Sequence, residues 1–550
     1  MRYLKWFFRE ISRFRWTYAS VLLFEMIGVA ISLLYVWLSK LLVDTAVGHF
    51  NGDNQALRLI WLAVAFAVVC LGRPLLMSLR SYMQSKMSVR MTNDLRLRLF
   101  DNMLKVCGDP GKKFHSGDMI NRMETDVISV TNAFCSAVPN LFWATVQFSA
   151  AFVCVLYVNV SLAIVLLVVL PFAAPAGKYI MRKVRNLTLH IKSNDSKVQS
   201  HIQESLQHLT LLRTLEYTGE SLDTLAHLQG ENYDRNLKRI RFSILARVLM
   251  SIAFNLGYLI AFLWAVRGLS TGAVTYGVMT ALLQLVGQLQ RPLLQASDNL
   301  PSLLHCTASI DRLMELEELP KEDAVSPVLL NAPAGLKIQN LVFRYPDGDE
   351  TIIDNLSFDF KPSSRVAITG RTGIGKTTLL KLMMSLAEPV SGKMELYSES
   401  VTVPVSPHTR CNFAYVPQGN TLFSGTVRDN LLMGDANADE SRMREALYVA
   451  AADFVFDLPD GLDTICSEAG GGLSEGQAQR IAVARGLLRP GSILLLDEFT
   501  SALDPQTENL MLSRLTAKDG ICADKTMIFI THRDSILNFC DSELQLEHLS

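Results

Sequence analysis

Along the first 305 residues, long apolar runs alternate with polar stretches, and the length of the runs is that of a bilayer crossing. They cover Trp16–Val43, Leu57–Gly72 with its extension RPLLMSL, Ala137–Val158, Val160–Gly177, Ile244–Val266 and Tyr276–Gln290. Most reach or approach the roughly 20 apolar residues that a helix needs to cross the hydrocarbon core. A buried soluble core does not call for six such runs in one 305-residue segment, so the pattern predicts a six-helix, all-α transmembrane region.

The polar stretches set the expected orientation. Lys and Arg crowd the N-terminal arm (Arg2, Lys5, Arg9, Arg13, Arg15), the segment from Arg80 to Arg122 and the segment from Arg182 to Arg241, whereas DTAVGHFNGDNQ, VNV and GLSTGAVTYG carry none. Positive residues stay on the cytoplasmic side, so both termini are expected in the cytoplasm, in a multi-pass protein of the cytoplasmic (inner) membrane. The long inner loops carry apolar residues at helical spacing, as in SVRMTNDLRLRLFDNMLKVC, so the spanning helices are expected to continue beyond the bilayer. The first fifteen residues set Trp6, Phe7, Phe8, Ile11 and Phe14 against basic residues, the pattern of an interfacial helix.

After about residue 305 the pattern changes. MELEELPKEDAVSPVLLNAPAG is polar, acidic and proline-containing, and reads as a linker. Beyond it short β-rich runs (RVAITG, CNFAYVPQ, SILLLDE, TMIFITH) alternate with helical stretches, which predicts an α/β domain with a mainly parallel sheet. The expected division is 1–305 membrane domain, 306–334 linker and 335–550 α/β domain. Composition agrees: 49% of the 550 residues are hydrophobic, 19% are charged, and mean hydropathy is +0.22. A net charge of −1 provides no basic field for nucleic acid. The nine cysteines show no paired spacing, which suits reduced thiols. No small-residue cleavage site follows the basic, aromatic start, so no cleavable signal peptide is expected.

The α/β half carries the chemistry. RVAITG runs into GRTGIGKTTLLKLMM, where Gly370, Gly375, Lys376 and Thr377 satisfy G-x-x-x-x-G-K-[ST] in a strand–loop–helix context. The loop Gly370, Arg371, Thr372, Gly373, Ile374, Gly375 and the helix start Lys376, Thr377, Thr378 are therefore expected to cradle the phosphates of ATP. Lys376 would reach the β/γ oxygens and the Thr377 hydroxyl would ligate Mg²⁺. Further on, the apolar strand SILLLDE ends in Asp497 and Glu498, at the ligand edge of such a sheet. Asp497 is expected at the metal and Glu498 at the attacking water.

From about residue 335 onward the chain resembles the nucleotide-binding domain of ATP-binding cassette transporters. GRTGIGKTT matches Walker A and ILLLDE Walker B. YVPQ resembles the Q-loop, with Gln418 linking metal and lytic water to the membrane domain. SALD (Ser501 to Asp504) resembles the D-loop, and His532 of ITH the switch histidine. Tyr345 of FRYP matches the aromatic that stacks on adenine, and LSEGQ (Leu473 to Gln477) holds the signature position. FHSGDMINRMETDV and RPLLQASDNLPSLLHCTASIDRLMELEE extend the resemblance into the membrane half, to exporter-type members. It implies a half-transporter: a six-helix transmembrane domain fused to an α/β P-loop NTPase domain, working as a homodimer or heterodimer in a lipid bilayer. The implied activity is ATP hydrolysis driving export or lipid flipping of an unidentified small molecule, lipid or peptide. An ATP-gated or regulatory membrane subunit with reduced hydrolysis is the alternative. No peptidase domain precedes the first span, so leader-peptide cleavage is not expected.

In this family the signature turn closes over ATP bound to the partner, with Ser474, Gly476 and Gln477 at the γ-phosphate. The usual turn is L-S-G-G-Q, so Glu475 is a departure. Pointing inward it would cost on the order of several kcal/mol against phosphate; pointing to solvent it would favour the helix by roughly 0.3–1 kcal/mol. Lys112–Asp118 and Leu206–Leu215 resemble coupling segments. In the last span Gln284, Gln288, Arg291 and Gln295 form one helical stripe, readable as cavity lining or as helix–helix hydrogen bonding. Glu25, roughly 15 Å into the first span, is read as contacting a cationic substrate or as pairing with Arg73 or Arg247.

Overall fold

The computed structural model describes residues 2–48, 55–107, 116–322, 326–330, 333–345, 350–466 and 472–546. The chain divides into two compact units, one formed by Met1–Leu99 with Met119–Glu315, the other by Phe100–Asp118 with Leu316–Ser550.

The first unit is helical. An N-terminal helix α1 (Arg2–Arg13) precedes α2 (Arg15–Ala46), α3 (Gln55–Leu104), α4 (Val138–Val158), α5 (Val160–Gln207), α6 (Thr218–Ser270) and α7 (Tyr276–Glu317). Each of the six apolar runs lies on one of α2 to α7. Among the described residues, Arg15–Ala46, Ala56–Leu104, Gly117–Val158 and Thr218–Ser270 are long and apolar enough to cross a membrane. The 53 residues of α6 make a rod about 80 Å long against a hydrocarbon core of about 30 Å, so this helix continues well beyond a bilayer.

Small side chains let the bundle close. Ala151, Ala261, Ala265 and Ala281 are buried together with Val36, Val155, Leu282 and Val286, joining α2, α4, α6 and α7. In an apolar solvent such contacts hold helices by close packing rather than by the hydrophobic effect. Gly277 serves the same end: a Cβ there would lie 2.3 Å from the Lys40 carbonyl. Its N–H donates to the Asp44 carboxylate at 2.8 Å, so the end of α2 caps the start of α7. Helix α1 differs from a free interfacial helix on one face. Trp6 is buried, and Trp6 and Phe7 pack against Phe134 with ring centroids 5.8 and 4.6 Å apart. Glu10 is fully buried and takes Arg98 at 2.5 Å, whereas Phe8 stays exposed.

The second unit holds two sheets and their helices. One sheet is wholly parallel, in the order β11 (Ser542–Gln545), β3 (Arg365–Thr369), β10 (Thr526–Ile530), β9 (Ile493–Asp497), β6 (Phe413–Val416). The other is antiparallel, in the order β2 (Thr351–Phe360), β1 (Gly335–Arg344), β4 (Ser391–Tyr397), β5 (Thr402–Pro404). The sequence predicts the parallel sheet and does not separate off the antiparallel one. Strands β9 and β10 are buried throughout, as strands covered on both faces must be. Their alternation divides two cores: Leu494, Leu496, Met527 and Phe529 point to one, Ile493, Leu495, Ile528 and Ile530 to the other, where β1, β2 and β4 pack. Lys105 and Cys107 bond main chain to main chain with the linker, Glu322 N to Lys105 O at 2.8 Å and Cys107 N to Pro320 O at 2.9 Å.

Candidate nucleotide site and membrane cavity

Four parallel strands deliver the polar residues of the second unit to one sheet edge. Strand β3 leads into the glycine loop, β6 into Gln418, β9 ends at Asp497 before Glu498, and β10 leads to His532. The carboxyl ends of parallel strands are where such sheets bind ligands.

The glycine loop turns from β3 into helix α8 (Lys376–Met383) with left-handed φ at Gly370 (144°), Gly373 (86°) and Gly375 (107°). Side chains are shut out twice over: a Cβ on Gly370 would lie 2.8 Å from the Leu546 carbonyl, and one on Gly375 2.6 Å from Ile352. Gly375 caps α8 with no side-chain bond, so the first N–H groups stay available to an anion. Arg371, Thr372 and Thr377 are exposed and Ile374 is half-buried. The Thr378 hydroxyl lies 2.9 Å from the Tyr345 hydroxyl, and the Tyr345 ring meets Phe343 edge-on at 4.8 Å. The aromatic and the phosphate loop are thus tied together, a link the sequence does not show.

Lys376 is buried, and its Nζ donates to the carbonyls of Gly370 at 2.7 Å and Arg371 at 3.2 Å. It also lies 2.8 Å from His532 Nε2. An ammonium group only donates, so Nε2 is the acceptor in this contact. Burial lowers the Lys376 pKa, against the pull of Glu498 and Asp497. The same His532 Nε2 lies 3.4 Å from Glu498 Oε1. The second oxygen of Glu498 accepts from Gln418 Nε2 at 2.5 Å. Lys376, His532, Glu498 and Gln418 therefore form one continuous chain of contacts. Glu498 itself adopts a left-handed φ of 44°, backbone strain of the kind that gathers at functional sites. It is held by its N–H on Ile530 O at 3.0 Å and by Gln479 Nε2 on its carbonyl at 3.3 Å.

Asp497 is buried and receives the Tyr415 hydroxyl at 3.3 Å, a long bond. Burial, then the adjacent Glu498, raises its pKa, the signature of a carboxylate short of positive charge. An all-oxygen donor set drawn from Thr377, Asp497 and Gln418 suits a hard cation such as Mg²⁺.

The signature turn falls within the described residues from Gly472 on; Glu468–Gly471 of the same stretch lie outside them. Ser474 caps helix α9 (Glu475–Leu488), its Oγ accepting from Gln477 N at 3.2 Å while Gln477 Oε1 accepts from Ser474 N at 2.9 Å. This reciprocal box fixes both residues. Glu475 is exposed at the first helical position. The steric constraint falls one residue later, where a Cβ on Gly476 would lie 2.7 Å from the Ala502 carbonyl.

Two positioning residues escape sequence reading. Gln479, fully buried on α9, links the Glu498 carbonyl to Ala502 N. Arg533, next to His532, pairs with buried Glu508 and donates to Ser501 O at 3.2 Å, joining the segment after β10 to SALD. Their only sequence signal is a polar residue at an apolar helix position and an arginine beside the histidine.

The helical unit contains a cavity of about 360 Å³. Gln288, Arg291 and Gln295 of the predicted stripe line it; Gln284 instead donates to Ser39 Oγ at 3.0 Å. Gln288 also belongs to a closed ring across three helices: Ser32 Oγ donates to Gln147, Gln147 to Gln288, and Gln288 to Ser32 O, at 2.9, 2.8 and 3.1 Å. Both readings of the stripe therefore hold, at different residues. Glu25 is corrected: its partner is Arg80, at 2.5 Å, rather than Arg73 or Arg247. Arg80 lies seven residues beyond Arg73, about two turns along nearly the same face of α3, a choice that apolar-run patterning does not resolve. Of the coupling segments, 112–115 lie outside the described residues. Leu206–Leu215 spans the end of α5 and a short helix (Leu209–Thr214) before α6, with Leu206, Leu209, Leu211 and Leu215 exposed.

Comparison with known proteins agrees with this division. The ABC transporter transmembrane region matches residues 19–293 and the ABC transporter domain residues 353–501. An ATP-dependent lipid A-core flippase of Pseudomonas fluorescens is 30% identical over 479 residues, covering 85% of this chain and 78% of the relative. The ABC multidrug transporter mdr2 of Aspergillus fumigatus is 29% identical over 437 residues, 78% of this chain and 54% of the relative. A structure of a bacterial Atm1-family ABC exporter with ATP bound superposes with a TM-score of 0.81 at 24% identity, covering 97% of this chain and 93% of that one. With a membrane-spanning unit and an ATP-binding unit fused in one polypeptide, the chain belongs to the ABC transporter family as an exporter-type half-transporter that couples ATP hydrolysis to transport across a membrane.

Proposed function

We propose that two such half-transporters, identical or paired with a second subunit, form one exporter or flippase that alternates between inward- and outward-facing states as two ATP are bound and hydrolysed. The observation that carries this reading is the unbroken contact chain Lys376–His532–Glu498–Gln418 at one sheet edge. In it Glu498 is the base that accepts a proton from the attacking water, and Gln418, donating to its second oxygen, holds its carboxylate in place. Lys376, the glycine loop and Tyr345 bind the nucleotide; Thr377, Asp497 and Gln418 hold Mg²⁺, which would neutralise phosphate charge. Lys376 Nζ contacts its own loop carbonyls and His532. Phosphate binding exchanges those bonds and frees His532.

A partner is supported by two features. Ser474, Gly476 and Gln477 form a preorganised helix start whose own unit already has a glycine loop for phosphate. The segment Leu206–Leu215 exposes four leucines, the kind of apolar patch that marks an interaction surface. Glu475 is exposed at the first helical position beside exposed Ser474, and in the outward reading its backbone rather than its carboxylate faces the partner's phosphate. The charge asymmetry of the loops supports cytoplasmic termini and the inner membrane. The cavity lined by Gln288, Arg291 and Gln295 supports a substrate path in the bundle.

The test is Mg-ATP hydrolysis by the full chain in lipid nanodiscs, beside Glu498→Gln, with the particle mass recorded. A dimer whose hydrolysis disappears in Glu498→Gln upholds the proposal. A monomer without hydrolysis, or hydrolysis indifferent to Glu498, overturns it for this chain alone.

A further inference from the structure

The charges around the membrane cavity are unequal. Three guanidinium groups, Arg73, Arg80 and Arg291, line it against one carboxylate, Glu25, among the described residues. Glu25 is almost wholly buried and engages Arg80 at 2.5 Å. That pair leaves one Glu25 oxygen and the Arg80 Nε buried without a partner. Glu25 is therefore committed to holding an arginine and is not a free cation trap. Gln147 and Gln288 are likewise committed, to the ring with Ser32. The charged groups that remain to face a solute are Arg73 and Arg291, which make no ion pair among the described residues; Asn140, Gln295, Asn299 and Trp143 also line the cavity.

Unpaired cations at membrane depth cost several kcal/mol each and persist where they line a wet path or meet a counter-charge. A planar guanidinium binds carboxylate and phosphate oxygens bidentately, with direction as well as charge. A cationic solute would meet a surplus of two positive charges and find the sole carboxylate taken. The cavity is also of headgroup size, since about 360 Å³ falls at the low end of small-molecule sites.

We infer that the cavity takes an acidic head group, phosphate or carboxylate, with Arg73 and Arg291 as its specificity-determining residues and Arg80 positioned by Glu25. This rests on the reading of the bundle cavity as the substrate path, and it specifies the substrate class.

The test is a binding titration that needs no ATP. The full chain in phosphatidylcholine nanodiscs is titrated with lysophosphatidic acid, with glycerol 3-phosphate and with dodecyltrimethylammonium. Occupancy is followed as the Trp143 fluorescence change, isolated by subtracting Trp143→Phe. Lysophosphatidic acid is expected to saturate the signal, and Arg73→Gln with Arg291→Gln to raise its half-saturating concentration at least about tenfold, the scale of one lost charged contact. Arg73→Lys with Arg291→Lys should recover part of the loss, and an unchanged particle mass shows that the variants fold. Equal saturation by glycerol 3-phosphate also upholds the acidic class and assigns a water-soluble source; saturation by the lysolipid alone assigns a lipid. Tighter binding of the ammonium amphiphile, or no effect of the double Gln variant, overturns the inference. Acid binding that persists in a chain without Glu498-dependent hydrolysis would overturn the transport reading and leave the substrate class standing.

Discussion

Lys376 Nζ and His532 Nε2 lie 2.8 Å apart, though 156 residues separate them in the chain. The contact joins the lysine that opens α8 to the histidine beyond β10. Each should therefore fail differently when removed. Lys376→Ala should abolish nucleotide binding. His532→Ala should retain binding within about threefold and lose hydrolysis by at least about 100-fold, the usual span for a group at the proton-transfer step. Fluorescent-nucleotide binding beside phosphate release separates the two; equal loss of binding in both variants would refute this division of labour.

Gly476 and Glu475 give opposite expectations. Gly476→Ala drives a Cβ to within 2.7 Å of the Ala502 carbonyl and displaces the signature helix from SALD. Hydrolysis should fall about 100-fold, since an ångström of misplacement suffices for that. Glu475→Gly should alter the rate by less than about threefold because the side chain is exposed and worth only the first-turn dipole term. A rate raised tenfold by Glu475→Gly would show an inhibitory carboxylate.

Glu25 and Arg80 stabilise the bundle only as a pair. Glu25→Ala leaves a partly buried arginine without its counter-charge, a loss of about 3 kcal/mol. The melting temperature of the nanodisc-embedded chain should drop by several degrees. Glu25→Leu with Arg80→Met should regain most of it, because well-packed apolar residues replace such pairs at little cost. A double variant no more stable than Glu25→Ala would contradict this.

Asp541 predicts a pH effect. The Arg365 guanidinium, at 2.9 Å, and the Arg365 N–H, at 2.8 Å, hold its carboxyl below the usual carboxylate range. A depressed folded pKa contributes stability above the unfolded value of about 4, lost as pH falls through the folded value. Asp541 is close to half exposed, so the contribution is about 0.5 kcal/mol after screening. Asp541→Asn should unfold more easily than the parent at pH 7 and identically at pH 2, by denaturant midpoint. A difference that grows toward acid pH would reverse the sign and reject the pairing.

Much of this architecture could be read from the chain. Apolar runs of bilayer length placed α2 to α7, since a spanning helix must satisfy its backbone internally and present apolar side chains all round. The glycine loop was legible because φ values of 144° and 107° and contacts below 3 Å favour glycine alone at Gly370 and Gly375. Asp497 and Glu498 were legible because a fully apolar strand ends on them.

What the sequence alone determined about this protein is the set of local requirements: span length, loop charge, glycine positions and the order of the phosphate-handling residues. The tertiary structure decided the partnerships. Glu25 with Arg80 rather than Arg73, Tyr345 with Thr378, Gln479 beneath Glu498 and the Ser32–Gln147–Gln288 ring each join residues far apart in the chain. Such pairs depend on helix rotation and strand register, set by packing of whole faces. A polar side chain at a given helical position has several neighbours in reach, and only the closed bundle or sheet selects one.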